Sequence, residues 1–288
     1  MTRFLTLLLL ALLLVACQRH DNTLAEQNAV YYWRTSLRLD SAERAFLAQY
    51  HINKVYCRYF DVVMGDDDEP VPNATLTFAD TLPQGVELVP TVYITEDCMH
   101  QPHPGLAEKL VKRIQQMNET NDIPAVRELQ IDCDYTARSR QTYYDFLREV
   151  NSHLSALHAH LSTTIRLHQL AMPVPPVDYG VLMLYNTGDP NKFEDRNPVL
   201  DLRDVEPYVK HLDGYALPLA AAYPVYQWQR TVYGVHLEHT IAADEILRVK
   251  QVVEHARPDL SRTIVTYCLD KENIQRYNPE TYEEIYRH

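Results

Sequence analysis

Two aspartates near the middle of the chain have the residue type and the spacing that acid–base chemistry requires. Over residues 128–134 apolar and polar residues alternate, which predicts a β-strand with one apolar and one polar face. Asp132 and Asp134 share the polar face, where mutual repulsion raises the pKa of at least one carboxyl, so that it can hold a proton. We predict Asp134 as a general acid, with Asp132 or Asp61 as its partner carboxylate. The alternative is that buried arginines neutralise these aspartates in a structural ion network.

Three arginines and one histidine lie in predicted strands that meet the aspartates at one end of a sheet. Arg34 ends the first strand, Arg58 lies in the second, and Arg166 and His168 lie on the polar face of the fifth. An unpaired charge inside a fold is costly, so converging charges indicate either an ion network or a polar substrate pocket. We predict that the arginines orient or neutralise the aspartates or bind an anionic sugar, and that His168 lines the same substrate site.

Aromatic and amide side chains at the ends of other predicted strands suit a sugar ligand. Tyr185 and Asn186 end the sixth strand, Trp228 lies in the seventh, and Trp33 lies at the end of the first. A sugar ring offers an apolar face for stacking and hydroxyl edges for hydrogen bonds. We therefore predict that these four residues line sugar subsites. The alternative is that the aromatic rings only fill the interior of the fold.

The elements that must position these residues alternate between strand and helix. Eight strand signals, with helical patterns between several of them, predict an α/β fold with a parallel sheet closed into a (β/α)8 TIM-type barrel. An open doubly wound sheet is the alternative. In a TIM barrel the active site lies at the carboxyl ends of the strands, where the candidate residues fall. The predicted strands are Ala29 to Thr35, Lys54 to Val62, Glu87 to Ile94, Glu128 to Asp134, Leu161 to His168, Gly180 to Tyr185, Ala222 to Val232 and Arg262 to Leu269.

The amino terminus predicts export and a lipid anchor. Residues 1–16 combine a basic start with an apolar run that is too short to span a bilayer, which is typical of a signal peptide. The segment 14–17 matches the bacterial lipobox, in which the signal is cut before the cysteine and Cys17 carries the lipid. Residues 17–28 then form a polar tether and residues 29–288 the barrel. We predict a membrane-anchored lipoprotein of the bacterial cell envelope.

Composition excludes several other classes of function. The chain has 27 Lys+Arg against 39 Asp+Glu, a formal net charge of −12, so we expect no nucleic-acid partner. It has only 7 Gly and neither of the glycine-rich phosphate-binding patterns, which disfavours nucleotide cofactors. Its histidines and cysteines lack the spacing of a zinc site, so we expect no metal and no cofactor. The oligomeric state is not indicated.

The chain resembles a bacterial lipoprotein family of glycoside-hydrolase-like TIM barrels over most of its length after residue 16. The resemblance implies a barrel with its site at the strand ends that carry the matching segments. These segments are Tyr32-Trp33-Arg34, Arg58-Tyr59-Phe60-Asp61-Val62, Gln130 to Thr136 followed by Tyr144 and Phe146, and Tyr185-Asn186-Thr187-Gly188.

The predicted fourth strand also looks like that of chitinase-type enzymes, whose Asp-x-Asp pattern continues to a catalytic glutamate two residues later. Thr136 stands at that position here. A two-carboxylate mechanism would therefore recruit Asp61, Glu96 or Asp270. Our hypothesis is a lipid-anchored, glycoside-hydrolase-like barrel that acts on a cell-envelope or environmental glycan. The alternative is a catalytically silent barrel that binds a glycan or a partner protein.

Overall fold

The computed structural model describes residues 24–189, 196–232 and 235–288, and these form a barrel of eight parallel strands. The predicted signal peptide and Cys17 lie outside these residues. Within the described ranges, no helix is long and apolar enough to cross a membrane. The barrel strands are β1 (Gln27–Tyr32), β2 (Ile52–Met64), β3 (Glu87–Ile94), β4 (Glu128–Asp132), β5 (His160–Ile165), β6 (Tyr179–Met183), β7 (Leu219–Pro224) and β8 (Thr263–Tyr267).

The sheet closes because β1 pairs in parallel with both β2 and β8. Every other barrel strand pairs with its neighbours in chain order, which is the connectivity of a (β/α)8 barrel. This confirms the predicted fold class and excludes the open sheet. The structure corrects one strand: the predicted segment from Ala222 to Val232 divides into β7 and a separate hairpin, whose arms are Trp228–Val232 and Val235–His239.

Six α-helices surround the described barrel, and a 3-10 turn over Leu167–Ala171 replaces a helix between β5 and β6. Helix α1 begins with a capping box, in which Asp40 accepts from the backbone of Glu43 while the Glu43 side chain accepts from the backbone of Asp40. The helices are α1 (Ser41–Gln49), α2 (Leu106–Thr120), α3 (Arg140–Ser155), α4 (Leu202–Val209), α5 (Ala243–Ala256) and α6 (Pro279–Ile285).

Side chains alternate between the barrel interior and the helix layer, as the parity of β4 predicts. Leu129 and Ile131 belong to the large apolar core under the helices, whereas Gln130 points inward and accepts a hydrogen bond from the Tyr31 hydroxyl at 2.9 Å. Tyr31 belongs to a second apolar cluster that fills the interior. The interior of the barrel, as far as the described residues form it, is therefore packed, and a ligand site is expected at an end of the barrel.

The amino-terminal end of the barrel is filled by a buried polar cluster. Lys54 Nζ lies 2.8 Å from Glu128 Oε2, and Ser162 Oγ donates to the other carboxylate oxygen at 2.6 Å. Above them the hydroxyls of Tyr56 and Tyr179 lie 2.9 Å apart. Because these buried groups satisfy one another, they form a closed floor opposite the carboxyl ends of the strands.

A β-bulge in β2 shapes the carboxyl end, which we call the mouth. The pairing of β2 with β3 shifts register between Arg58 and Phe60, so Tyr59 is the extra residue. Tyr59 turns outward, and its hydroxyl donates to Asn118 on α2 at 2.8 Å. Arg58 and Asp61 are three residues apart, so in a regular strand their side chains would point to opposite faces. Because of the bulge, both point to the interior face.

Candidate functional site

Arg166 joins the two predicted catalytic aspartates at the mouth. Its Nη2 donates to Asp132 Oδ1 at 3.1 Å, and its Nε is paired with Asp134. Thr164 Oγ1 also donates to Asp132 Oδ1, at 2.6 Å. Asp132 is buried, whereas the side chain of Asp134 is 48% exposed. One guanidinium therefore bridges an inner and an outer carboxyl group.

The pKa of the inner carboxyl group of the bridge, Asp132, is raised. Burial raises the pKa of Asp132; the charge of Arg166 acts in the opposite direction and that of Asp134 adds to the rise. Although burial lowers the pKa of Arg166, the charges of Asp132 and Asp134 hold it above its usual value, so the guanidinium stays charged. Asp132 is thus a carboxyl that holds a proton more readily than in water, next to a permanent cation.

Arg58 holds the third predicted carboxylate, Asp61, with one edge of its guanidinium, formed by Nε and Nη2. Arg58 Nε donates to Asp61 Oδ1 at 2.7 Å, and Nη2 pairs with Oδ2. Asp61 is opposite Tyr93 of β3, which in turn is opposite Asp132, so the three side chains form one row across β2, β3 and β4. The structure thus brings Asp61 to the same mouth, already neutralised by a bidentate partner.

Tyrosines surround this row of charges, and the sequence reasoning identified only Tyr185 among them. The Tyr185 ring stacks on Tyr267 with centroids 4.7 Å apart, and Tyr226 packs edge-on against Tyr267. Tyr226 also donates to Asn186 Oδ1 at 2.5 Å. Tyr93 lies in the row itself, where burial and the charges of the aspartates raise its pKa to about 12. Position at a strand end is the signal that could have identified Tyr93 and Tyr267.

A cavity of about 240 Å³ opens beside Arg166. Two residues of its lining each carry one fully buried polar atom, Arg166 Nη1 and the Tyr185 hydroxyl, that has no hydrogen-bond partner among the described residues. Buried polar groups in proteins nearly always have a partner. The cavity lining comprises Asp134, Arg166, Leu167, His168, Met183, Tyr185, Asn186, Thr187 and Tyr208, so the predicted residues His168 and Asn186 are part of it.

Three predicted site residues, Trp33, Arg34 and Trp228, lie away from Asp132 and Asp134. Arg34 Nη2 donates to Glu43 on α1 at 2.6 Å, and its side chain lines an open groove next to the mouth. Trp33 lines the same groove. Trp228 lies on the hairpin after β7, where its ring packs near His239 with centroids 5.6 Å apart, and it contacts the outer core. The structure therefore places Trp228 outside the cavity lining.

Glu96, from the turn after β3, lies beside Thr136. Its Oε1 accepts from Thr136 Oγ1 at 2.8 Å and from Ser139 Oγ at 2.7 Å, and its Oε2 lies 2.8 Å from His100 Nε2. Burial acts in the opposite direction, but the hydrogen bonds from Ser139, Thr136 and His100 hold the pKa of Glu96 below its usual value. Glu96 is thus an ionised acceptor and not a proton donor near neutral pH. Among the described residues, no cluster of three or more side chains has the composition of a metal site.

No protein-family model and no curated protein matches the sequence. Solved structures match it in fold. The spore cortex-lytic enzyme SleL of Bacillus cereus is 12% identical with a TM-score of 0.58, over 92% of this chain and 75% of that enzyme. A chitinase of Chromobacterium violaceum is 13% identical with a TM-score of 0.58, over 91% of this chain and 98% of that one. A GH18 chitinase of Pseudoalteromonas aurantia is 12% identical with a TM-score of 0.52, over 90% and 98%. The chain therefore has the TIM-barrel fold of these glycoside hydrolases.

Proposed function

We propose that the mouth of the barrel binds a glycan, with one sugar unit in the cavity between Arg166 and Tyr185. The observation that carries this proposal is that Arg166 and Tyr185, which both line the cavity, each carry a buried polar atom, Nη1 and the hydroxyl, without a hydrogen-bond partner among the described residues. Leaving a buried donor unsatisfied costs about 1–3 kcal/mol, and an oxygen atom of a sugar would remove that cost. The likeness in fold to glycan-cleaving enzymes supports the same ligand class.

The size and walls of the cavity support a single sugar unit. Its volume of about 240 Å³ lies just below the roughly 300–1,000 Å³ that is usual for drug-sized ligands. Tyr185 supplies an aromatic wall, while Asn186, His168 and Asp134 supply hydrogen-bonding groups at the rim. This combination of a ring face and polar edges matches the surface of a sugar.

The test is a matched pair of hydroxyl deletions in the protein without residues 1–17. A glycan panel screened by thermal shift supplies the ligand, and titration calorimetry measures its affinity. Tyr185→Phe should weaken binding by about 2- to 12-fold, since one neutral hydrogen bond contributes about 0.5–1.5 kcal/mol. It should not destabilise the free protein, because the hydroxyl has no hydrogen-bond partner among the residues that the structure describes.

Tyr215→Phe is the control for this test. Within the described ranges the Tyr215 hydroxyl is also buried without a partner, but Tyr215 belongs to the outer core, in the connection between α4 and β7. Its removal should leave the affinity unchanged. Equal affinities of wild type, Tyr185→Phe and Tyr215→Phe would exclude the cavity as the sugar site.

Hydrolysis of the bound glycan is the second candidate function. It is favoured by one observation, the two carboxyl groups that share the Arg166 guanidinium at the mouth, of which Asp132 is buried and Asp134 is exposed. In this mechanism Asp134 is the general acid and Asp132 or Asp61 its partner carboxylate, and Arg166 must release Asp134 when the proton moves. The ion pairs of Arg58 and Arg166 favour binding alone, because all three carboxylates already have cationic partners.

Release of reducing ends distinguishes the two functions. Asp134→Asn, with folding checked by its melting temperature, should abolish release if Asp134 is the acid, whereas Asp145→Asn on the exposed face of α3 should not. Unchanged release in Asp134→Asn would refute the acid assignment. Binding without release from any glycan in the panel would leave the binding function alone.

We further propose that this site operates at the bacterial cell envelope on a barrel tethered through lipid on Cys17. The support is the apolar run followed by the lipobox-type segment at residues 14–17.

A further inference from the structure

An open groove of about 610 Å³ lies beside the mouth, and arginines make up half of its lining. Six residues line it: Trp33, Arg34, Thr35, Ser36, Arg38 and Arg58. Three of the six carry guanidinium groups, two carry hydroxyls, and none carries a carboxylate. The cavity next to Arg166 differs, because Asp134 is part of its lining.

The carboxylates that hold two of these arginines are buried behind the groove. Glu43, which pairs with Arg34, has a side chain only 1% exposed, and Asp61, which pairs with Arg58, is 10% exposed. Asp270 is 3.8 Å from Arg34 Nη1 and more open. The groove therefore presents guanidinium edges held in position by buried acids, an arrangement that pre-organises arginine for an incoming anion.

Donor groups remain on both arginines after these pairings. Arg34 uses Nη2 on Glu43 and on the Arg38 carbonyl, which leaves Nη1, 3.8 Å from Asp270 Oδ2. Arg58 uses Nε and Nη2 on Asp61, which leaves Nη1. Arg38 is exposed at the rim, and its side chain takes part in none of the ion pairs found in the described ranges.

Trp33 supplies the apolar element of the groove. The Arg58 guanidinium carbon lies 5.7 Å from the centroid of the Trp33 ring, so a stacking surface and a cationic group are adjacent. A ligand that combines a ring face with a negative substituent matches this pair. The net charge of −12 repels anions at long range, so any affinity for an anion must come from local contacts such as these.

We infer that the groove binds an acidic sugar, whose carboxylate or sulfate contacts the guanidinium groups of Arg34, Arg38 and Arg58. This inference rests on the proposed function and specifies its ligand: the glycan carries anionic units, with an uncharged unit in the cavity beside Arg166 and a charged unit in the groove.

The test compares matched oligosaccharides by calorimetry at low and high salt. The probes are uronate oligosaccharides with galacturonate, glucuronate and mannuronate backbones, the same compounds with their carboxylates reduced to alcohols, and sulfated oligosaccharides of equal length. We expect at least one acidic compound to bind more tightly than its neutral counterpart, and the difference to shrink at high salt. Preference for carboxylate or for sulfate identifies which anion the groove accepts.

Charge variants of Arg38 at the rim test whether the preference for acidic compounds arises in the groove. Arg38→Gln should weaken binding of the acidic compound by about 2- to 5-fold, the range for an exposed ion pair, and Arg38→Glu by more. The loss should be smaller for the neutral compound, because its alcohol group carries no charge that Arg38 could pair with. The control is Arg148→Glu, an equally drastic change at an exposed arginine on α3. It should leave both affinities unchanged.

The outcomes separate this inference from the proposed function. One outcome is that neutral compounds bind, that Tyr185→Phe weakens their binding, and that no acidic compound binds more tightly than its neutral counterpart. In that case the groove inference is wrong and the proposed function stands. The inference is also wrong if Arg38→Glu leaves the acidic preference intact. If no compound of either kind binds, both proposals are contradicted.

Discussion

Replacing Arg166 by glutamine should destabilise the barrel in a strongly pH-dependent manner. The change removes the guanidinium that contacts Asp132 and Asp134 and leaves Asp132, 4% exposed, without a cation. Removing one partner of a buried ion pair typically costs about 3–5 kcal/mol. With a shift of roughly 2–4 °C per kcal/mol for a domain of this size, the melting temperature should fall by about 6–20 °C at neutral pH.

The sign of the pH dependence follows from the pKa of Asp132. Burial already raises this pKa and Arg166 lowers it, so without Arg166 it moves further above the unfolded value of about 3.9. A raised folded pKa means that the folded state holds the proton more tightly, so stability is lost as pH rises above about 4 towards the folded value. The difference between Arg166→Gln and wild type should therefore be small at pH 4 and large at pH 7.5.

Melting temperatures measured at both pH values, with a surface control, test this reasoning. Arg148→Gln removes a surface ion pair with Asp145. The side chain of Arg148 is 55% exposed and that of Asp145 is 58% exposed. Such a pair contributes about 0–1 kcal/mol, so the control should melt close to wild type at both pH values. If Arg166→Gln behaves like Arg148→Gln at pH 7.5, Arg166 does not neutralise Asp132 and the account of the mouth is wrong.

Three further expectations can be measured directly. Gly180→Ala should cost about 1–3 kcal/mol in chemical denaturation, because a Cβ there would lie 2.7 Å from Ile165 Cγ1. Gly214→Ala should have no such cost, because a Cβ there would meet no atom within 4 Å. Equal losses of unfolding free energy in the two variants would contradict this explanation. Relative to wild type, Asp132→Asn should gain melting temperature as the pH rises from 4 to 7.5, because the raised pKa of Asp132 costs the wild type stability over this range. A pH profile parallel to that of wild type would show that Asp132 has no such effect. Cys17→Ser should move the protein from the membrane fraction to the soluble fraction, and continued sedimentation with membranes would exclude the lipid anchor.

The fold could be predicted from the sequence because each barrel strand shows a local signal. The predicted strand from Glu87 to Ile94 has the bounds of β3, and the parity of β4 placed Asp132 correctly inside. Strand ends were less accurate: the predicted fifth strand extends to His168, where the chain has already turned into a 3-10 helix. A short turn of this kind has the same apolar content as a strand, so periodicity cannot separate them.

The site was predictable in its charges but not in their pairing. Strand ends bring Arg58, Asp61 and Arg166 together by topology alone. The partner of Arg34 is Glu43 on α1, a contact that no local pattern indicates. The bulge at Tyr59 is equally hidden, since neither glycine nor proline marks it, yet it decides that Arg58 faces inward with Asp61.

The contacts at the start of β1 bear on the orientation of the barrel relative to a membrane. Arg262 Nε donates to the Leu24 carbonyl at 2.6 Å and Thr263 Oγ1 to the Ala25 carbonyl at 2.8 Å, which fixes the entering chain at the floor of the barrel. With Cys17 lipidated as we propose, the seven residues to Leu24 reach at most about 25 Å. The bilayer would then lie beneath the floor and the mouth would open outward, so that the barrel meets polymers approaching from beyond its own leaflet and not the headgroups under it.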